Sequence, residues 1–384
     1  MTSSSLLVIV PDSISVILEK GEYTPCYYNP GNLFEEVHIL MTNDDHPNPE
    51  KVQKTVGSAR LYLHNLPVPK FWYTFGLQIP LIKGWIQRGI SLAQRINPQI
   101  IRCHGNYYNG YLAAQIHRSL KVPLIVSLHT HPDADLRRVT PWWPEWVNRL
   151  KAESYRKFER ATLSAADCVI IVYNSQRGYV NRNGARRVHL IYNILNPDHL
   201  IRKTNYHLSK PPRIISVGRQ FKEKNPENII RAMKDMDVHL TLVGDGLYHE
   251  KLRALVHALD LTRKIQFIKA IPNDDLCERL REYDLFVSHC DYWGIPKALL
   301  EPLLVGLPVV INRRRPEPNL EMNGDWVRLV ENTEKDYRQA IDELLANHTQ
   351  RAALGQRGYT YAHEHFAPER SEQLVKSLYQ EYLS

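Results

Sequence analysis

The sequence is poor in cysteine and contains no long apolar run. Its five cysteines are scattered, and no two have the C-x-x-C spacing of a zinc site or the density of a disulfide framework. No stretch approaches the length of an apolar membrane span. The first residues, MTSSSLLVIVPDS, lack the basic start of a signal peptide and fit a first β-strand. These absences predict a globular protein of a reducing compartment, with the cytoplasm as the expected location.

Long blocks of charge of one sign are also missing. The chain nevertheless carries a net charge of +8 and has a pI of about 9.1, which favours anionic partners such as nucleotides, phospholipid surfaces or nucleic acid. A nucleic-acid role would require a contiguous basic face, and no Lys/Arg block indicates one. At 384 residues the chain exceeds one typical core, which predicts two domains.

Apolar strands alternate with stretches of helical spacing along the whole chain. In the first half, strands are predicted at 6–10, 37–41, 60–63, 99–102, 123–128, 168–172 and 188–191. In the second half, they are predicted at 214–217, 239–243, 265–268, 285–287, 308–311 and 326–330. This alternation predicts an α/β fold with parallel sheets, arranged as two Rossmann-like doubly wound domains that face each other across a cleft.

The polar residues 201–213 make the best linker between these domains. We therefore expect an N-terminal domain over residues 1–203 and a C-terminal domain over residues 204–367. A terminal helix is predicted over residues 368–384.

Residues 284–312, DLFVSHCDYWGIPKALLEPLLVGLPVVIN, predict one strand–loop–helix–strand unit. Pro296 is well placed as the first helical residue, because its missing N–H costs nothing there. A helix that opens beside a glycine presents free N–H groups to an anion, and Lys297 adds a positive charge. Glu301 lies one turn further and suits a hydroxyl-rich group. The alternative is an ordinary crossover helix with solvated charges.

Two further loops follow predicted strands, at the edge where doubly wound sheets bind ligands. In VGRQFKEKNP, Gly218 permits a tight turn, Arg219 can hold two phosphate oxygens with its planar guanidinium, and Lys224 adds a point charge. The turn VGDG, which ends at Gly246, fits a ligand contact and equally a structural turn. A solvated basic loop is the alternative for the first segment. Together the three loops predict a cradle for the diphosphate of a nucleotide-sugar.

The combined motifs resemble those of retaining GT-B glycosyltransferases of the family 4 type. GRQFKEKNPENIIRAM is similar to the family's G-R-x(4)-K-G segment, and VGDG to its V-G-x-G turn. GIPKALLEPLLVGLPVV resembles the E-G-I-P-K-x-L-L-E-A-M-A-x-G-x-P-V-V segment, and IYNILN resembles I-P-N-G-V-D. The closing helix looks like the family's terminal helix, which crosses back to the first domain. The resemblance covers most of the chain.

The resemblance implies roles for single residues. Arg219 and Lys224 match the pair that holds the donor diphosphate, and Glu301 matches the glutamate that binds the nucleotide ribose. The backbone of the GIPK segment matches the part that meets the diphosphate and the donor-sugar hydroxyls. The positions implied in donor binding are Gly218, Arg219, Lys224, Gly246, Gly294, Ile295, Pro296, Lys297 and Glu301.

His129 matches the first-domain histidine that lies near the transferred sugar. The alternative interpretation is that His129 is an ordinary histidine at the end of a strand, hydrogen-bonded to the backbone. His131 and His104 are further candidates for the same role. The residues expected in catalysis are His129, Arg219, Lys224 and Asp291.

The sequence departs from the family pattern at the first glutamate of its E-x7-E motif. Trp293 occupies that position, and an indole cannot accept a hydroxyl hydrogen bond as a carboxylate does. Either a rebuilt loop brings Asp291 in as the carboxylate, or the donor-sugar contact is lost. The glycine of N-G-V-D is replaced by Ile194, and the usual Gly-Gly turn after the first strand is missing, with Gly21 as a poor candidate.

The acceptor is the least defined partner. Residues 70–88 mix aromatic and basic side chains and fit a membrane surface that admits a lipid-linked acceptor, or alternatively a loop with a core helix. Trp142, Trp143 and Trp146 fit sugar stacking, or alternatively a cap on the first core.

The expected reaction moves a sugar from a UDP- or GDP-linked donor to a hydroxyl acceptor on a glycan, glycolipid or small molecule, with retained anomeric configuration. Neither a cofactor nor a metal is expected, because the cations stabilise the leaving diphosphate. The expected place of reaction is the cytoplasm, with the inner face of the membrane as an option. Two alternatives stay open: a nucleotide-sugar epimerase or hydrolase on the same fold, and a catalytically degenerate sugar-nucleotide or glycan-binding protein.

Overall fold

The computed structural model describes residues 4–21, 24–68, 82–131, 144–292, 294–315 and 320–384. The chain divides into two compact units. Unit 1 comprises Met1–Glu19, Tyr23–Ile194 and Ser371–Ser384, and unit 2 comprises Lys20–Glu22 and Leu195–Arg370. Each unit has its own sheet and apolar core. Within the described ranges, no helix is both long enough and apolar enough to cross a bilayer.

Unit 1 is built on a parallel sheet of seven strands. These are β1 (Ser5–Val10), β2 (Glu36–Met41), β3 (Arg60–Asn65), β4 (Ile100–His104), β5 (Leu124–Leu128), β6 (Cys168–Ile171) and β7 (Val188–Leu190). They lie in the order β3-β2-β1-β4-β5-β6-β7. The central strands are covered on both faces, and every residue of β1 is buried. This explains why they are continuous apolar runs without polar alternation.

Helices cover the two faces of this sheet. The helices of unit 1 are α1 (Ile14–Glu19), α2 (Pro49–Gln53), α3 (Lys83–Ile96), α4 (Tyr108–Leu120), α5 (Glu145–Ala165) and α6 (Gln176–Arg182). Side chains of α3, α4, α5 and α6 share one apolar core with one face of the strands. Side chains of α1, α2 and the terminal helix (Pro368–Leu383) share a second core with the other face.

Unit 2 repeats this plan with six parallel strands. The strands are β8 (Arg213–Val217), β9 (His239–Val243), β10 (Ile265–Ile268), β11 (Leu285–Ser288), β12 (Val309–Asn312) and β13 (Arg328–Val330), in the order β10-β9-β8-β11-β12-β13. The helices are α7 (Glu227–Ala232), α8 (His249–Ala258), α9 (Asn273–Leu280), α10 (Lys297–Val305), α11 (Glu334–Ala346) and α12 (His348–His365). The predicted α/β class with doubly wound parallel sheets is confirmed.

The strand order reverses once in each sheet. In unit 2, β8 lies between β9 and β11, so the loops that follow β8 and β11 leave neighbouring strands in opposite directions. In open α/β sheets such a switch point leaves a crevice outside the carboxyl ends of the strands, where ligands bind. The two loops with the strongest sequence motifs therefore meet at this crevice.

The predicted linker at 201–213 is wrong, because these residues pack as part of unit 2. The division falls between Ile194 and Leu195. The backbone N–H of Lys203 donates to Val305 at 2.7 Å, and its ammonium donates to the carbonyl of Arg281 at 2.9 Å. The polar composition of this segment is typical of a linker. In the structure, however, its polar groups form hydrogen bonds to backbone groups of unit 2 without forming a strand or helix.

Candidate functional site

The loops after β8 and β11 are joined by direct hydrogen bonds at the switch point. The backbone N–H of Asp291 donates to the carbonyl of Glu223 at 2.8 Å. The backbone N–H of Asn225 donates to Nδ1 of the buried His289 at 2.9 Å. Two segments about 70 residues apart in sequence are thereby held as one rigid edge of the sheet.

Gln220 fixes the loop after β8 against the loop after β9. Its backbone N–H donates to the carbonyl of Asp245, and its side-chain amide donates to the carbonyl of Gly244, both at 2.9 Å. Its amide oxygen lies 2.8 Å from Nδ1 of His249. Both side chains are almost fully buried. Sequence reasoning missed Gln220, because nothing in a basic loop indicates which polar side chain turns inward.

The glycines of these loops permit a close approach of two backbones. Gly244 has a φ of 138°, and a Cβ there would collide with the carbonyl oxygen of Gly218. A Cβ on Gly246 would come within 2.5 Å of the carbonyl oxygen of Gln220. Gly218 itself has no positive φ, so the tight turn predicted for it belongs to Gly244. The donor contacts predicted for Gly218 and Gly246 stay predictions.

Three basic side chains of this edge have no carboxylate within ion-pair distance in the described part of the chain: Arg219, Lys224 and Lys297. Arg219 is exposed, and the other two are half-buried. Burial lowers the pKa of Lys224, and the nearby Arg219 lowers it further, while Cys290 and Glu301 act in the opposite direction. Desolvated cations without a carboxylate partner favour binding of an anion.

The first turn of α10 adds backbone donors beside these cations. The first N–H groups of a helix have no intrahelical partner, and no side chain caps them here. Pro296 was predicted as the first helical residue, but it is the N-cap, with an extended ψ of 155° and a carbonyl that accepts from Leu299 and Leu300. Ile295 is fully buried, so only its backbone can meet a ligand.

A small cavity lies beside this helix start, at the carboxyl ends of β11 and β12. Gly294, Cys290, Asn312 and Arg314 contribute to its lining. A second small cavity lies at the carboxyl ends of β8 and β9, and it is lined by Gly218 and Lys224 among others. The predicted donor residues Gly294, Gly218 and Lys224 thus border concave space at the sheet edge.

Glu301 is buried on α10 and accepts a hydrogen bond from the side-chain amide of Asn273 at 2.9 Å. Lys297 lies one turn before it on the same helix. The predicted ribose contact of Glu301 stays a prediction, and Asn273 is a neighbour that the sequence motifs did not identify.

Asp291 is held by its own neighbours. One carboxylate oxygen accepts from the side-chain amide of Asn312 at 2.9 Å, and the other lies 3.2 Å from Nε2 of His289. Because Nδ1 of His289 accepts from Asn225, the ring proton of His289 resides on Nε2, the atom that lies 3.2 Å from Asp291. The proximity of His289 holds the pKa of Asp291 below its usual value.

The carboxylate of Asp291 therefore has a structural task at the switch point. Its predicted catalytic task, as a substitute for the missing family glutamate, stays a prediction. Trp293, which occupies the glutamate position, lies outside the described residues.

Unit 1 brings two of the three candidate histidines together. His129 follows β5, and its Nε2 lies 3.1 Å from Nδ1 of His104 at the end of β4. Its Nδ1 lies 3.2 Å from the amide oxygen of Asn193, in the IYNILN segment. The hydroxyl of Tyr27 lies 3.5 Å from His129 Nε2. His131 lies elsewhere, with Nε2 at 3.3 Å from the carbonyl of Ser175.

These contacts define one pattern of protons. Asn193 accepts from Nδ1 of His129, which leaves His129 Nε2 as the acceptor for His104 Nδ1. His129 is therefore oriented by two side chains. Burial, and then the proximity of His129 and Arg102, lowers the pKa of His104 well below its usual value, so His104 is uncharged at neutral pH.

Comparison with protein families supports this reading of the chain. The profile described as Glycosyltransferase Family 4 matches residues 35–199, and the profile described as Glycosyl transferases group 1 matches residues 198–361. An uncharacterized glycosyltransferase of Methanocaldococcus jannaschii is 24% identical over 347 residues, which cover 90% of each chain.

Two solved structures share the fold over nearly the whole length. Sucrose-phosphate synthase from Thermosynechococcus elongatus has a TM-score of 0.72 at 16% identity and covers 99% of both chains. HepE of Anabaena, in complex with UDP and glucose, has a TM-score of 0.69 at 13% identity and covers 98% of this chain and 99% of its own. Since the two profiles together span residues 35–361, the chain belongs to the GT-B glycosyltransferases of the family 4 type.

Proposed function

We propose that the protein is a retaining glycosyltransferase that moves a sugar from a UDP- or GDP-linked donor to a hydroxyl acceptor. The observation that carries the proposal is a set of three basic side chains at the carboxyl edge of the unit 2 sheet that have no carboxylate partner among the described residues: Arg219, Lys224 and Lys297. HepE, a protein of the same fold, is described in complex with UDP.

Arg219, Lys224 and the N–H groups at the start of α10 would bind the diphosphate of the donor. When the glycosidic bond breaks, negative charge develops on the leaving phosphate. Groups already aimed at that position stabilise the charge without reorganisation, and such donors are each worth about 10²–10³ in rate. The carboxylate of Glu301 would accept from the ribose hydroxyls.

A metal is not needed for this step, because three cations and a helix terminus supply the positive charge. In the described part of the chain, no three His, Cys, Asp or Glu side chains are grouped as a metal site. We propose metal-independent transfer because these cations supply the positive charge, and full activity in EDTA is the expected result.

His129 would contact the transferred sugar from unit 1. Its imidazole is held in place by Asn193 and His104. Retention of the anomeric configuration rests on the resemblance to retaining family members, and it is checked by the proton NMR coupling constants of the product. The acceptor hydroxyl belongs to a glycan, a glycolipid or a small molecule.

A thermal-shift screen against UDP-, GDP-, ADP- and TDP-sugars tests the donor site. A ligand that binds only the folded chain stabilises it by about 2.7 kcal/mol at a concentration a hundredfold above Kd. We expect one nucleotide to raise the melting temperature, and Arg219→Ala to abolish the shift. Lys222→Ala, an exposed lysine in the same loop, is the matched control. A shift that survives in Arg219→Ala, or no shift with any donor, would count against the cradle.

A catalytically degenerate binding protein is the second candidate. It is favoured by Trp293 at the glutamate position and by the engagement of both Asp291 oxygens with Asn312 and His289. This candidate predicts a donor-induced shift with no release of nucleoside diphosphate under any acceptor. Release without an acceptor would instead indicate a hydrolase.

A further inference from the structure

Acidic residues are absent from a long segment of unit 1. Between Glu50 and Asp133 the sequence contains ten Lys and Arg residues and not one Asp or Glu. The whole chain has 41 Asp and Glu among 384 residues, so about nine would be expected in this segment on composition alone. The segment includes the described helices α3 and α4.

The folded unit sorts this charge onto one side of its sheet. Helices α3, α4, α5 and α6 pack on one face and together carry eleven Lys and Arg against three Glu. Helices α1 and α2 and the terminal helix pack on the opposite face and carry three Lys and Arg against five Glu. Helices cover both faces of the sheet, so the difference in charge comes from the side chains that these helices carry and not from the fold.

Most of these cations point outward. Lys83, Arg88 and Arg95 on α3 and Arg118 on α4 are exposed and make no ion pair with described residues. On α5, Arg149 and Arg156 pair with Glu145 at 2.6 Å and Glu153 at 3.2 Å. The outward side of the layer is thus a field of largely uncompensated positive charge.

Large apolar side chains accompany the charge at one end of α5. Trp146 is 65% exposed and Leu150 is 57% exposed, one helical turn apart. Lys157 and Arg160 follow on the same line of the helix, both exposed and without a described ion-pair partner. A tryptophan beside a leucine on a basic helix is typical of a segment that lies at a membrane interface.

We propose that the outer face of α3, α4, α5 and α6 is a docking surface for an anionic lipid bilayer. The cations attract the acidic headgroups, and Trp146 and Leu150 enter the headgroup boundary. A soluble polyanion would use the charges but leave these two apolar side chains in water, which is why the bilayer is the favoured partner. Docking concerns a face of unit 1 that contains none of the donor residues, so it is independent of the proposed reaction.

Flotation of the whole protein with vesicles tests the proposal. We expect binding to phosphatidylcholine vesicles with about one third phosphatidylglycerol and not to phosphatidylcholine alone. Raising the ionic strength from about 0.1 M to about 1 M shortens the Debye length from about 10 Å to about 3 Å and should release the protein. Lys157→Glu with Arg160→Glu should weaken partitioning at least roughly thirtyfold, at about 1 kcal/mol per charge.

Lys51→Glu with Lys54→Glu is the matched control, because it changes the net charge equally but lies at the opposite face. This control should bind vesicles within about threefold of wild type. Trp146→Ser with Leu150→Ser should weaken binding while keeping its salt dependence. Three results would overturn the proposal: equal binding to neutral vesicles, equal loss in the control, or retention on heparin without any binding to anionic vesicles.

Discussion

Nδ1 of His104 and Nε2 of His129 lie 3.1 Å apart, and their rings stack with an interplanar angle of only 3°. Two imidazolium ions at this distance would repel each other, so the pair is stable only when it is uncharged or carries one proton. Tyr27 lies beside the pair, and burial raises the pKa of its phenol to about 12, so it is neutral too.

Acidification should destabilise unit 1 through His104. Its pKa in the folded chain is lowered well below 6.5 by burial and then by His129 and Arg102. Between the folded and the unfolded pKa the unfolded chain binds more protons, so stability falls as the pH drops below about 6.5. When the pH is lowered from about 7 to about 5, the melting temperature of His104→Asn should decrease less than that of the wild type.

The control for this experiment is His46→Asn, which removes an exposed imidazole from the same unit. It should follow the wild-type pH dependence. An unchanged slope in His104→Asn would mean that the pair is not the group that couples folding to protonation.

Loss of either diphosphate cation should lower the rate of transfer. Arg219→Ala and Lys224→Ala each remove a positive charge from the place where negative charge develops, and we expect a decrease of about 10²–10³ in kcat/KM. Release of nucleoside diphosphate, measured by a coupled assay, reports the rate. Lys222→Ala in the same loop should retain it, and near wild-type rates in both test variants would contradict the proposed reaction.

Glu301 should contribute to donor affinity beyond its contact with Asn273. Hydrogen bonds to charged groups are worth about 1.5–3 kcal/mol, so Glu301→Gln is expected to weaken donor binding by about one to two orders of magnitude. Titration calorimetry measures the Kd. Asn273→Ala removes the hydrogen bond from Asn273 to Glu301 but leaves the carboxylate in place. If both variants lose equal affinity, Glu301 acts only through Asn273 and does not bind the ribose.

The alternation of apolar strands and helices was sufficient to predict the fold. The central strands of both sheets are covered on both faces, so they are unbroken apolar runs that stand out in the sequence, as in the fully buried β1. The loops after β8, β9 and β11 were found because glycine and basic residues follow directly on those runs. The residues that mark each loop directly follow its strand in the sequence, so a local pattern is enough to identify the loop.

Contacts between distant segments could not be predicted. The hydrogen bonds of Gln220 to Gly244 and of His289 to Asn225 join loops that only the sheet order brings together. The linker was misplaced for a related reason. Ser209 and Arg213 donate backbone N–H groups to the buried carboxylate of Asp284, more than 70 residues away, and composition cannot reveal such a partner.

The close approach of the loops after β8 and β9 should make Gly244 irreplaceable. A Cβ at this position collides with the carbonyl oxygen of Gly218, and the φ of 138° is itself unfavourable for any other residue. We expect Gly244→Ala to lower the free energy of unfolding by about 3 kcal/mol or more, measured by urea denaturation. Donor-induced thermal shifts should be lost with it, because Gly218 precedes Arg219 directly.

Gly84→Ala provides the contrasting case. Gly84 lies in the exposed first turn of α3, and no heavy atom lies within 4 Å of a Cβ built there. Alanine is the better helix former by about 1 kcal/mol, so this variant should equal or exceed the wild-type stability. If Gly244→Ala matched Gly84→Ala in both stability and donor binding, the two loops would not need their close approach, and the donor edge would be more tolerant than its geometry indicates.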